Sequence, residues 1–244
     1  MHRAKPQTLA LVLGLILALT VADASHAQDF TVDFGDESSL TARALQLIAL
    51  ITVLSLAPGL AIMITCFPFV VTVLSILRQA IGLQQSPPNM LIVSLALFLT
   101  YFVMAPVFQE AYTVGIVPLL DGALPATDAL AAAYEPFRGF MLNRVDADTL
   151  ASLAELRNVD PTLQPEPSIL VPAFMLSEVE RAFQIGFLIF LPFLIIDLVV
   201  AAILMSMGMM MVPPAIVSMP FKLAFFVVAD GWTLVTGALV RSYF

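Results

Sequence analysis

Four apolar stretches, each near or above the length that a helix needs to cross a bilayer, constrain this chain more than any motif in it. A hydrocarbon core of about 30 Å takes about 20 apolar residues in a helix. The stretches run from about Ala44 towards Leu77, from Met90 to about Phe108, from about Ala182 to Met207 and from about Ala215 to Val240. Pro58, Pro68, Pro106, Pro192 and Pro220 interrupt them, so kinks are expected, and the first is either one kinked helix or two pieces. With 60% hydrophobic and 11% charged residues, the chain falls far below the charged fraction of a soluble domain. The expected class is an all-α membrane protein.

Residues 1–27 read as a secretory signal. Arg3 and Lys5 precede an apolar run from Leu9 to Val21, and Ser25-His26-Ala27 is a small-x-small cleavage site. Cleavage there removes both histidines, His2 and His26, and with them every mechanism that needs an imidazole base or ligand. It also moves the formal charge from -8 to -9, because Arg3, Lys5 and Asp23 leave. Cys66, the single cysteine, lies in an apolar run and is read as a small buried hydrophobe. No Walker loop or dinucleotide fingerprint occurs. Cofactors and bound metals are not expected.

The remaining organisation follows from charge. After a mature N-terminal segment, 28–43, comes a first hydrophobic hairpin, 44–109, then an acidic segment, 110–171, and a second hairpin, 172–244. From Glu110 to Arg181 there are eleven acids against four arginines and no lysine, which does not suit nucleic acid. Leu130–Leu142 and Asp148–Arg157 have helical spacing, and Pro172 is expected to begin the next helix. A cleaved signal puts the new N-terminus outside, and four spans put the acidic segment and the distal end outside as well. Basic residues support this only weakly, since the inner turns carry Arg78 and nothing else. Phe67-Pro68-Phe69 before Pro87-Pro88 and Leu191-Pro192-Phe193 before Pro213-Pro214 suggest two hairpins of one design, although prolines are common at membrane-helix turns anyway.

Ionisable residues at membrane depth need partners, water or a neutral state. Asp197 lies in a wholly apolar run; Lys222 and Asp230 are eight residues apart in the last stretch, close to one face after about two turns; Glu178 and Arg181 are three apart at the mouth of the third. They form either a proton path or structural pairs, with Lys222 free to meet Asp197 or Glu178. Pairing is favoured, because the groups are few and no histidine relay exists. A second cluster is uncharged. Met205, Met207, Met209, Met210 and Met211 crowd a turn before Pro213-Pro214. Three readings fit them: flexible filling of a helix end, a hydrophobic constriction that dewets, or thioether coordination of Cu(I), the last weakened by the lack of Cys or His nearby.

Several ordered motifs carry a resemblance: Leu54-Ser-Leu-Ala-Pro58, Val73–Gly82, Gln84-Gln-Ser-Pro-Pro-Asn89, Ala96–Thr100, Ala182–Ala201, Met205–Pro214, Pro220-Phe-Lys-Leu223 and Asp230-Gly-Trp232. Together they resemble the FliP/SctR family of type III secretion export-gate components. The resemblance covers about Leu50–Phe108 and Val171–Val240, and reaches the acidic segment only through Tyr134-x-Pro-Phe137 and Phe140-Met141.

It implies an inner-membrane, multi-pass component of the flagellar basal body, part of the gate through which unfolded flagellar subunits leave the cell. Kinked helical hairpins would assemble, five copies with FliQ and FliR subunits, into a closed helical complex beside FlhA and FlhB. Not every hydrophobic helix would then cross the bilayer. The five methionines map onto the family's pore gasket. Two departures are visible: Pro68-Phe69 stands where the family usually has Thr-Arg, and Glu180 where a basic residue is common. The alternatives are a virulence counterpart, a small proton-coupled transporter using Asp197 and Asp230, and, least supported, an integral-membrane enzyme.

Overall fold

The computed structural model describes residues 37–83, 87–159, 164–209 and 211–244. The expected signal segment, residues 28–36 of the mature N-terminus and Met210 lie outside the described residues. Nine α-helices and one π-helical turn make up the described structure, with no strand among those residues. The chain divides into two units, 1–53 and 54–244, and the division falls within α1, Glu37–Met63.

In the second unit α1 ends at Met63, and the first apolar stretch resolves into two helices. Thr65 turns its hydroxyl back to the Ile62 carbonyl (2.8 Å), and Pro68, with no N–H to give, sits in the first turn of α2, Phe67–Ile81. Gly82, at φ 89°, caps α2 in the left-handed conformation that glycine adopts freely. Fifteen residues rise only about 22 Å, so α2 is too short to span a bilayer alone. It is instead the central element of the core. Phe69, Val70, Val73, Leu74 and Leu77 recur at helical spacing and are all at most 2% exposed.

Around α2 pack α3, Asn89–Ala111, and α7, Pro167–Ser206, with α8, Pro214–Val228, and α9, Gly231–Arg241, beside them. α3 does not stop near Phe108 as expected; it continues through the π-helical turn Tyr112–Ile116 into α4, Val117–Leu120. The acidic segment supplies α5, Ala126–Leu142, and α6, Ala147–Leu156, which start slightly before the residues whose spacing announced them. A smaller core of Met141, Leu170 and Phe174 fastens α5 to the beginning of α7.

The third apolar stretch is the distal part of a 40-residue helix that begins at Pro167, with Pro172 inside it. The first-turn position that tolerates proline is taken by Pro167, so the helix starts there and Pro172, five residues on, lies inside it. The two expected hairpins also differ. Pro68 opens a short helix after a break, whereas Pro192 lies within α7, and the equivalence of their sequence settings does not carry into local structure. Three described helices are long and apolar enough to cross a membrane, or up to four spans if α8 and α9, bent by 63°, count as one.

Two glycines set close approaches. At Gly115 an added Cβ would lie 2.5 Å from the Ala133 Cβ and 2.7 Å from the Ala129 carbonyl oxygen, so the π-helical turn can sit on α5 only without a side chain. Gly139, on the same helix as Ala133, has open space around it. Gly115→Ala is therefore expected to destabilise the protein by about 1–3 kcal/mol through overpacking, while Gly139→Ala is neutral or slightly stabilising. Thermal unfolding of the detergent-solubilised protein compares the two directly.

Candidate functional site: buried charge clusters and a methionine turn

Glu178 projects from α7 into the protein and is 0% exposed. A carboxylate there is costly unless opposite charge and hydrogen bonds surround it. Both are present. Arg181, one turn on, donates from Nη1 to Oε1 at 3.2 Å, and Arg144, after α5, donates from Nε to the same oxygen at 3.1 Å. The Arg144 Nη2 also lies 3.0 Å from Oε1, without the alignment of a hydrogen bond. The Tyr243 hydroxyl donates to Oε2.

Arg144 ties further elements together. Its Nη1 donates to the Ser242 carbonyl at 2.8 Å, and its guanidinium lies 4.1 Å from the centre of the Tyr243 ring and 5.9 Å from that of Phe69. Phe69 is thus a fully buried ring beneath a guanidinium. Nearby, the Ser177 hydroxyl accepts from the Asp146 N–H at 2.9 Å while bonding back to the Ala173 carbonyl. Glu180 is exposed and accepts from Gln184. Spacing pointed to Glu178 with Arg181; Arg144 and Tyr243 gave no sequence signal, since they lie 34 and 65 residues away.

The second cluster is deeper along the apolar helices. Lys222 of α8 donates from Nζ to Asp197 Oδ2 at 2.7 Å and to the Ala80 carbonyl at 3.1 Å, and Ser218 donates to Asp197 Oδ1 at 2.5 Å. Ala80 precedes the left-handed cap of α2, so the lysine pins the end of α2 to α7 and α8 together. Asp197 and Lys222 border a cleft of about 790 Å³ that is also lined by Arg78, Gln79 and Phe190. Asp230 stands apart. The helix breaks just before it, at Ala229, and the 63° bend carries it off the face that its eight-residue spacing from Lys222 suggested; it accepts from Thr233 at 3.1 Å at the head of α9.

Met205 lies in the last turn of α7, and Met207, Met209 and Met211 follow in the turn before α8. The Met209 N–H reaches the Leu204 carbonyl (2.9 Å), the Gly208 N–H reaches that of Met205 (3.1 Å), and Gly208 takes φ 76°, a Schellman ending of α7. Met205, Met207 and Met211 are 62, 66 and 98% exposed, so they do not serve as core filling within this chain. Met207 and Met209 border an apolar groove of about 520 Å³ with Ile203, Val217 and Phe221. Nothing charged lies in the turn.

With this geometry in place, comparison with known proteins decides the family. The sequence model of the FliP family matches residues 50–239. The chain belongs to the FliP family. Among similar proteins, the flagellar biosynthetic protein FliP of Caulobacter vibrioides is 51% identical over 238 residues, covering 96% of this chain and 90% of that protein. The protein of the same name from Rhizobium meliloti is 46% identical over 94% of this chain and 97% of its own length. The Bacillus subtilis protein of that name is also 46% identical, over 81% of this chain and 91% of its own length. The acidic segment, where motif resemblance is thinnest, lies within the family match.

Removing Lys222 leaves Asp197 without its cation, and removing Arg144 leaves the buried Glu178 with Arg181 as its one remaining cation. Arg144→Ala and Lys222→Ala are each expected to destabilise the protein by about 3–5 kcal/mol, whereas the paired change Asp197→Leu with Lys222→Met costs much less. Unfolding midpoints of the single and double variants check this. A milder effect is expected at Asp146, the N-cap of α6, whose carboxylate accepts from the Thr149 N–H at 2.9 Å and from the Thr149 hydroxyl at 3.0 Å. The Thr149 N–H chiefly, with the hydroxyl, holds its pKa below the ordinary 3.8. The depressed value means that the cap's contribution is complete above the unfolded pKa and disappears as pH falls through the folded one. Asp146→Ala is expected to lose that acid-dependent increment, measured as unfolding midpoint against pH from neutral to below 4.

Proposed function

We propose that this FliP-family chain is an inner-membrane component of the flagellar protein-export gate, and that its methionine turn lines the constriction through which unfolded flagellar subunits pass. The family match over residues 50–239 carries this reading. The similar proteins bear flagellar names, which favours flagellar over virulence export. In the assembly that resemblance implies, five copies combine with FliQ and FliR and work with FlhA and FlhB.

Two physical features support an assembly. Large side chains stand exposed along α3 and α7, among them Phe98, Phe102, Phe183, Phe187 and Leu198, more apolar surface than a lone soluble chain leaves uncovered. Lipid covers only part of it. Forty residues of α7 extend about 60 Å, twice the hydrocarbon thickness, so part of that helix must meet protein or water. The turn that ends α7 offers flexible thioethers and no charge, and a ring of such turns would exclude water and ions while yielding to a passing polypeptide.

The pairing of Asp197 with Lys222 supports a structural role over a proton-carrying one. Both Asp197 oxygens are engaged, one by the buried Lys222 ammonium at 2.7 Å and one by the Ser218 hydroxyl at 2.5 Å, contacts that fix α7 against α8. The driving energy for export then belongs to partner proteins. Changing Met209, Met210 and Met211 together to alanine is expected to leave the complex assembled and to let small ions cross the closed gate. Ion conductance of the purified complex in planar bilayers tests this, and wild-type tightness in the triple variant would overturn the gasket assignment.

A further inference from the structure

The corner between α8 and α9 is held in a conformation that the chain does not prefer. Asp230 has φ 48°, which residues other than glycine adopt rarely. A Cβ at Gly231 would lie 2.2 Å from the Phe226 ring, so the corner is also closely packed. Such strain persists only where the surroundings hold it.

What holds it is not mainly apolar burial. On α9 only Leu239 is a buried large side chain, with Val235 and Val240 partly covered; Leu234 is exposed, and the half-exposed Trp232 meets the Phe226 ring edge-on at 5.4 Å. The firm contacts lie just beyond the helix. Ser242 gives its carbonyl to Arg144, and Tyr243 gives its hydroxyl to the buried Glu178. The Tyr243 ring is enclosed by the Arg144 guanidinium, by Phe140 stacked at 5.9 Å and by Phe69 edge-on at 5.6 Å.

We propose that Ser242 and Tyr243 form a latch on the Arg144–Glu178 cluster, and that α9 is an arm that swings about the Asp230–Gly231 corner when this latch opens. The arm joins the acidic segment's charge cluster to α8, which carries Lys222 and begins at Pro214 just after the methionine turn. Undocking therefore reaches that turn through a single helix. This last consequence rests on the gate reading, whereas the latched arm does not.

The test uses full-length protein in its native membranes, with Cys66→Ala so that an introduced Leu239→Cys is the only thiol. Its alkylation by a maleimide reports docking of the arm. Tyr243→Phe removes a hydrogen bond to a charged group and is expected to speed alkylation on the order of tenfold. Val73→Cys in α2, in the same Tyr243→Phe background, is expected to stay unreactive, which separates arm release from general loosening. If Tyr243→Phe does not accumulate, Arg144→Lys serves, since it keeps the charge beside Glu178 but loses the second arm of the fork to Ser242. Leu239→Cys alkylation unchanged by the latch substitution would overturn the proposal, as would Leu239→Cys and Val73→Cys becoming reactive together.

Discussion

The packing of the acidic segment against the membrane helices depends on neutralising one carboxylate. Glu178 is wholly buried, and its two oxygens collect groups from Arg144, Arg181 and Tyr243, which come from the end of α5, from α7 and from beyond α9. A buried charge does not tolerate approximate company, because attraction offsets desolvation only when the geometry is good and every lone pair is used. Glu178 thus selects one relative placement of three chain segments. Apolar contact alone, being non-directional, would admit many.

The Lys222–Asp197 pair plays the corresponding part farther along the helices. Its third member is the Ala80 carbonyl near the end of α2, a backbone acceptor close to the helix terminus. Both clusters use α7 as their common beam. This helix of 40 residues carries one charge cluster toward each end, Glu178 meeting Arg144 of the acidic segment and Asp197 meeting Lys222 of α8.

Much of this was legible in the sequence. Apolar run length announced the long helices, the shift in composition at Glu110 announced the segment that supplies α5 and α6, and the three-residue spacing of Glu178 and Arg181 announced their contact. Asp197 and Lys222 stood out by being charged where little else is. Other features were not legible because helical periodicity says nothing about which helix meets which. Arg144 and Tyr243 look like ordinary surface residues in their own neighbourhoods, and the eight-residue spacing of Lys222 and Asp230 does not announce the helix break that separates them.

By itself, then, the sequence determined the class: an all-α chain for membrane surroundings, a family signature spread over the apolar stretches on either side of the acidic segment, and an uncharged methionine turn. Those properties are local, set by side-chain hydropathy, proline and glycine within a few residues. Tertiary structure alone decided that α2 is a buried core helix too short to span, that α7 runs unbroken through both cores, and that a tyrosine after α9 closes the charge cluster around Glu178. These depend on contacts between residues far apart in the chain, where burial and charge are balanced across several elements at once.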